Sequence, residues 1–251
     1  MSSMETRFSP LSPDEVPKVL FRAECNNNRS LSDGSLCARV THYEGPPSEA
    51  DFDNTLSWQK KIPTRLRCFS TNWQQTLKRR AKMEEKARKR RVEMEEEARK
   101  RGAKMEKEEE ECIVVIAVWA KGLRGVYNAV DVASTLGYSE KGTVSKRKIW
   151  DHRQEFLVDG GILANEYRIL AIFEGGGPER PVVFECPMYR ISTLVPSGFF
   201  CGRRTGNALR DIEDEIYSHT GVRDDQKRDE LMKAIQGAPA NLFIFPNTTY
   251  M

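Results

Sequence analysis

Apolar and polar positions divide this chain into three regimes. The first is a set of short apolar runs bounded by turn formers: Val19-Leu20-Phe21 after Pro17, a short element around residues 36–40, and the run from Leu66 to Phe69. Compact runs of aliphatic and aromatic residues between turn formers predict strands. The strongest strand lies further on, at residues 112–120, where Ile, Val, Val, Ile, Ala, Val and Trp follow one another with no breaker. Residues 126–138 predict a short helix, residues 139–148 a polar loop, and residues 155–158 and 167–173 two more strands. Residues 174–180, with three consecutive glycines, read as a flexible break.

The second regime is a long polar helix over residues 74–111, with Ser70 or Thr71 placed to cap it. Met83, Met94 and Met105 recur every eleven residues, and with them recur MEEKARKR (83–90) and MEEEARKR (94–101). Eleven residues are three helical turns, so each unit returns to the same face. Glu84–Arg88, Glu85–Lys89, Glu95–Arg99, Glu96–Lys100 and Glu97–Arg101 are spaced i,i+4 with the acid first, each contributing about 0.2–0.5 kcal/mol. One methionine and one alanine per repeat make a thin apolar stripe. A coiled-coil seam requires two large apolar residues per repeat, so a solvated monomeric arm is expected ahead of a coiled-coil dimer. Gly102 is its weak point.

The third regime is amphipathic. Asn207 is placed to cap a helix carrying Leu209, Ile212 and Ile216 on one face, and Gly221 to end it. A second helix from about Asp224 to Gln236 buries Leu231, Met232 and Ile235, and the two read as a helical hairpin. The expected organisation is therefore a mobile N-terminus (1–16), an α+β module (17–173) with a small mixed or antiparallel sheet and the charged helix as an insertion at 74–111, and a C-terminal appendage (174–251) with two helices.

Composition narrows this picture. Hydrophobic residues make up 39% of the 251 and charged residues 31%, polar for a globular chain but able to form a core. No basic-then-apolar leader opens the sequence and no run reaches the about 20 apolar residues that a bilayer requires. An intracellular protein, cytoplasmic or nuclear, with no membrane partner is expected. Six cysteines and three histidines are scattered without metal-ligand spacing, so the cysteines are expected reduced and no metal site is expected. Residues 76–111 hold 14 Lys/Arg against 11 Asp/Glu, which accounts for the whole net charge of +3 and leaves the remainder neutral at 26 of each. That balance argues against the folded part being a general nucleic-acid binder. Lys86 to Arg91 is a candidate nuclear-import signal, and the helix a candidate surface for a protein partner.

One constellation carries candidate chemistry. An arginine follows an apolar strand at Leu20-Phe21-Arg22; a strand runs into hydroxyls at Phe69-Ser70-Thr71; and a glutamate opens an apolar segment at Glu155-Phe156-Leu157-Val158-Asp159-Gly160-Gly161-Ile162. In this order the three segments resemble the Arg–Ser–Glu pattern of the ADP-ribosyltransferase-like fold, in particular its enterotoxin-like and other fungal versions. The resemblance spans about residues 16–173 with the charged helix interrupting it. It implies core strands lining an NAD cleft, either active as a transferase or NAD glycohydrolase or catalytically degenerate. It further implies that Arg22 contacts the NAD phosphate or ribose, that Ser70 with Thr71 braces the cleft, and that Glu155 stabilises the positive charge developing as nicotinamide leaves. Two positions depart from the pattern. Arg153 stands where arginine-modifying members carry an acid, and Asn72 where the motif has a third hydroxyl. On the residues alone, Arg22 also serves as an ion-pair partner of Glu24 or another surface acid, Ser70 or Thr71 as a helix cap, Glu155 as an exposed strand residue, and Trp73 and Trp150 as core aromatics.

A reading from another class treats residues 129–172 as a winged helix, with residues 143–158 as the recognition helix and Lys146, Arg147, Lys148 and Arg153 facing DNA phosphates. A third treats the chain as a non-enzymatic scaffold organised by its arm. The first two part at residues 155–163, a strand in one and the end of a helix in the other.

Overall fold

In the computed structural model, residues 7–25, 31, 34–38, 44–57, 62–101, 112–142, 147–174, 179–186, 189–196 and 207–237 are described. The apolar runs become a six-stranded antiparallel sheet. Its strands are β1 (Val19–Cys25), β3 (Leu66–Ser70), β4 (Ile113–Trp119), β5 (Val126–Asn128), β6 (Glu155–Asp159) and β8 (Ile169–Phe173), in the spatial order β5–β6–β3–β1–β4–β8. Two short strands, β2 (Leu36–Cys37) and β7 (Gly161–Ile162), pair separately. The GGI segment has a physical reason here. Gly161 has φ +83°, and a side chain on it would run into the Leu36 carbonyl, so only glycine allows β7 to approach β2 this closely.

The sheet has a weak seam. β1 pairs with β4 over all seven of its residues and β3 pairs with β6 over all five, but β1 meets β3 through one pair, Phe21 opposite Ser70. On either side of that pair the two halves of the sheet diverge.

The halves carry different layers. Helix α1 (Glu49–Leu56) and helix α3 (Ala129–Thr135) cover the β5–β6–β3 half, with Phe52, Leu56, Tyr127, Val132 and Leu157 in one cluster. Over the β1–β4–β8 half lie α4 (Ala208–Thr220), α5 (Asp225–Gln236) and the base of α2 (Trp73–Arg101). Ile212, Ile216, Leu231, Met232 and Ile235 join Phe21, Trp73, Val115 and Phe173 in a single cluster. The first has the caps expected of it, Asn207 and left-handed Gly221, and the second is capped by Asp224 and left-handed Gly237. They form a layer of the core rather than an appendage. The apolar faces legible in the sequence are buried against the sheet, not only against each other.

Other expectations change. The winged-helix arrangement does not form: residues 149–152 make a 3-10 turn and residues 155–159 are strand β6, paired with β3 and not with Ile113–Trp119. Residues 126–138 split into strand β5 and helix α3. Strands β9 (Glu179–Cys186) and β10 (Tyr189–Pro196) form an antiparallel pair that begins at the end of the expected break at 174–180 and covers a stretch for which no element was expected. Of the sixteen N-terminal residues expected to be mobile, 1–6 lie outside the described residues. Phe8 stacks on Phe52 at 4.5 Å, the Leu11 amide donates to Val126 O at 2.7 Å, and Val16 is buried. Helix α2 is described to Arg101, so residues 102–111 of the expected helix, with Gly102 and Met105, lie outside the described residues. Only Trp73, Thr76, Leu77 and Arg80 of α2 are buried, and the Glu85–Lys89 and Glu97–Arg101 pairs form at 2.6 and 3.2 Å. No described helix is long and apolar enough to cross a membrane.

Because α4 closes the core, Ile216→Ala is expected to cost about 2–5 kcal/mol, read by urea denaturation as one cooperative transition at lower midpoint. A loose appendage would lose almost nothing.

Candidate functional site

A cleft of about 530 Å³ lies where the two halves of the sheet part, lined by β1, β3, the base of α2 and the segment leading into β6. Of the residues singled out by sequence, Arg22, Ser70 and Glu155 line it and Thr71 does not. The strand register explains the grouping. Ser70 sits opposite both Phe21 and Glu155, so the three motif-bearing strands are neighbours.

Arg22 fills the seam. Its Nε donates to Glu24 at 2.8 Å and its Nη1 to the Cys68 carbonyl at 2.7 Å, while Arg67 Nη1 reaches the same Glu24 oxygen at 2.8 Å. Burial pushes the Glu24 carboxyl up, but the charges of Arg22 and Arg67 outweigh it and hold the group below its ordinary value. The Arg22 guanidinium lies 5.9 Å from the centre of the Phe69 ring. Its Nη2 makes no hydrogen bond among the described residues, which leaves donors available to a ligand.

Ser70 does not cap α2. Asn72 does, its Oδ1 accepting the Gln75 amide at 2.8 Å. The Ser70 hydroxyl instead accepts the Asn72 amide at 3.0 Å and donates to Gln75 Oε1 at 3.4 Å. Thr71 acts through its backbone, donating its N–H to Gln154 O at 3.0 Å, and Asn72 Nδ2 donates to Gln154 Oε1 at 2.9 Å. These bonds pin Gln154, a non-glycine residue at φ +70°, in a conformation that costs on the order of 1–3 kcal/mol. That kink delivers the next residue, Glu155, to the cleft wall.

Glu155 is buried rather than an exposed strand residue. Arg147 Nη2 donates to its Oε2 at 2.7 Å and Arg147 Nη1 to its Oε1 at 3.5 Å, while His152 Nδ1 lies 3.0 Å from Oε2. Burial pushes this carboxyl up; the His152 hydrogen bond and the Arg147 charge, with Arg79 behind them, more than offset it, so the net shift is downward. His152 is wholly buried and Nε2 has no partner among the described residues. His152 Nδ1 also lies 2.7 Å from Arg147 Nη2, so this one nitrogen is shared between the arginine donor and the Glu155 acceptor. Behind Glu155, Cys68 Sγ lies 3.8 Å from Arg79 Nη1. Burial and the Glu155 charge push the Cys68 thiol up, so it stays protonated.

The cleft is cationic. Arg22, Lys78, Arg79, Lys82, Arg147 and Arg153 line it against Asp151 and Glu155, which favours an anionic ligand. Trp150, expected in the core, is 55% exposed on its wall. Among the described residues no group of His, Cys, Asp and Glu could hold a metal ion, and Cys25, Cys37, Cys68 and Cys112 form no disulfide.

The chain matches no protein-family model, no curated protein and no solved structure.

Sequence reasoning missed Arg147 and His152 as partners of Glu155. The His-x-x-Glu spacing was visible, but only a tight turn followed by a kink brings those side chains together. The Glu155 pairing makes a signed prediction. A carboxyl held below its ordinary 4.5 contributes stability that is present above that value and lost as pH falls through the lowered one. Glu155→Gln is expected to lose about 1–3 kcal/mol at pH 7 by leaving Arg147 unsatisfied. The gap from wild type should narrow as pH falls below 4.5 and close only below the lowered value, followed by thermal melts across pH.

Proposed function

We propose that this chain is an ADP-ribosyltransferase-like module that binds NAD in the cleft between β1 and β3. One observation carries the reading. The three segments that resemble the family's Arg–Ser–Glu pattern lie on three adjacent strands, and Arg22, Ser70 and Glu155 line one cationic cleft. Three short motifs separated by 48 and 85 positions in the sequence have no reason to meet unless the fold brings them together.

The chemistry suits the parts. Free Nη2 donors on Arg22 are suited to a phosphate oxygen of the dinucleotide, since a guanidinium forms forked, charge-assisted hydrogen bonds. The Ser70 hydroxyl and the Asn72–Gln154 bridge keep the β3 and β6 ends at a fixed separation. Glu155, ionised at neutral pH, faces the cationic centre that develops on the ribose as the nicotinamide bond breaks, where a fixed carboxylate lowers the barrier. Arg147 opposes this. Paired with Glu155, its guanidinium cancels the charge the reaction needs, so turnover requires that it swing away. The module is therefore expected to release nicotinamide slowly.

Calorimetry with NAD, followed by a nicotinamide-release assay, tests both halves. Arg22→Ala is expected to weaken NAD binding at least tenfold. Glu155→Gln should still bind NAD and lose on the order of 10²-fold or more in release. No heat of binding at millimolar NAD sinks the proposal. Binding with no release in wild type or in Arg147→Ala leaves a binding module and removes the catalytic part.

A further inference from the structure

The cleft holds more positive charge than NAD can use. NAD brings two phosphate charges and a cationic nicotinamide. Arg22 serves the first in the reading above, on which this inference rests, and Arg147 is committed to Glu155. Arg79 is drawn towards Cys68 and Glu155. Lys78, Lys82 and Arg153 remain, all exposed on the cleft wall and without an ion pair among the described residues.

These residues are not isolated. The basic charge of helix α2 is concentrated next to the cleft: residues 78–91 hold nine Lys/Arg against two Glu, whereas residues 92–111 hold five against nine. Sequence reasoning set nucleic acid aside because the rest of the chain is neutral, with the helix counted as one unit of net charge +3. Divided, its basic half is the half that meets the fold. Lys78, Lys82 and Lys86 follow one another at four-residue spacing, about 6 Å of rise per step, in a row that begins on the cleft wall. Within the basic half Arg80, Lys89 and Arg91 are tied to Glu84, Glu85 and Glu95, and on the far arm Arg101 to Glu97; the lysine row itself has no ion pair among the described residues. Trp150, an aromatic exposed where a core residue was expected, lines the same cleft from the segment that carries Arg153.

We infer that the cleft and the basic half of α2 bind single-stranded nucleic acid as a second ligand. Its phosphates lie along Lys86, Lys82 and Lys78 towards Arg153, and one base stacks on Trp150. Cations alone suit any polyanion. An aromatic face next to them selects a chain that carries bases as well as phosphates. A duplex hides those faces, and a phosphopeptide lacks them.

Fluorescence anisotropy of a labelled mixed-sequence single-stranded oligonucleotide, titrated with the full chain, tests this. Binding is expected to weaken linearly in log salt. The double reversal Lys78→Glu/Lys82→Glu should reduce the slope by about 1.4, two contacts at about 0.7 each, and Trp150→Ala should weaken binding roughly five- to hundredfold with the slope unchanged. Lys100→Glu, on the far arm, is the control and should have little effect. Absence of binding overturns the inference, as does equal sensitivity to Lys100 and to the cleft lysines, or a phosphopeptide that competes as well as the oligonucleotide. An oligonucleotide that fails to bind a chain still taking up NAD overturns this inference alone. Loss of NAD heat in a chain that still binds the oligonucleotide counts against the dinucleotide reading instead.

Discussion

A single ladder pair, Phe21 opposite Ser70, joins the two halves of the sheet, and the candidate site exists because there is only one. Two antiparallel strands of seven and five residues could pair along their shared length. Here they diverge, and the gap is filled by charge: Arg22 and Arg67 on one Glu24 oxygen, and Arg22 on the Cys68 carbonyl. A half-buried carboxylate held between two guanidiniums depends on both of them. The same ion cluster therefore holds the seam open, satisfies backbone that the ladder leaves unpaired, and presents an arginine to the cleft.

Around the seam, each half of the sheet has its own cover. The aromatic contacts of Trp73 with Phe21 and Phe173, at 5.2 and 4.8 Å, lock the base of the charged helix to the β1–β4–β8 half. The α4–α5 pair completes that layer, and Glu215 accepts the Ile172 amide at 3.1 Å on edge strand β8. On the other half Arg65 holds Asp159 with two bonds of 2.5 and 2.6 Å. Helix α2 thus does two things with one length of chain. Its first two turns are core, and everything beyond them is solvated and charged.

Much of this was legible in the sequence because it rests on local rules. The breaker-free run at 113–119, the Asn207 and Gly221 caps, the start of α2 at Trp73 and the i,i+4 pairs all follow from periodicity and capping chemistry. What escaped was set by partners distant in sequence. The hairpin at 179–196 has a proline in its first strand and three glycines before it, so its local signal reads as a break. The C-terminal helices looked self-sufficient, since an amphipathic face does not say which surface covers it. Arg22, Ser70 and Glu155 were found through a resemblance. Arg147, His152 and the exposed ring of Trp150 were not, because their meaning lies in a kink at Gln154 that Thr71 and Asn72 impose from another strand.

On the proposed reading, the seam between β1 and β3 is a dinucleotide site. A crystal structure of the chain soaked with NAD tests it most directly. The account predicts density between β1 and β3 with the diphosphate on Arg22 and the nicotinamide ribose facing Glu155, with Arg147 turned away from that carboxylate. NAD seated anywhere else, for instance in the second hollow bordered by Cys37, Gly160 and Arg168, with the Arg147–Glu155 pair undisturbed, would contradict it.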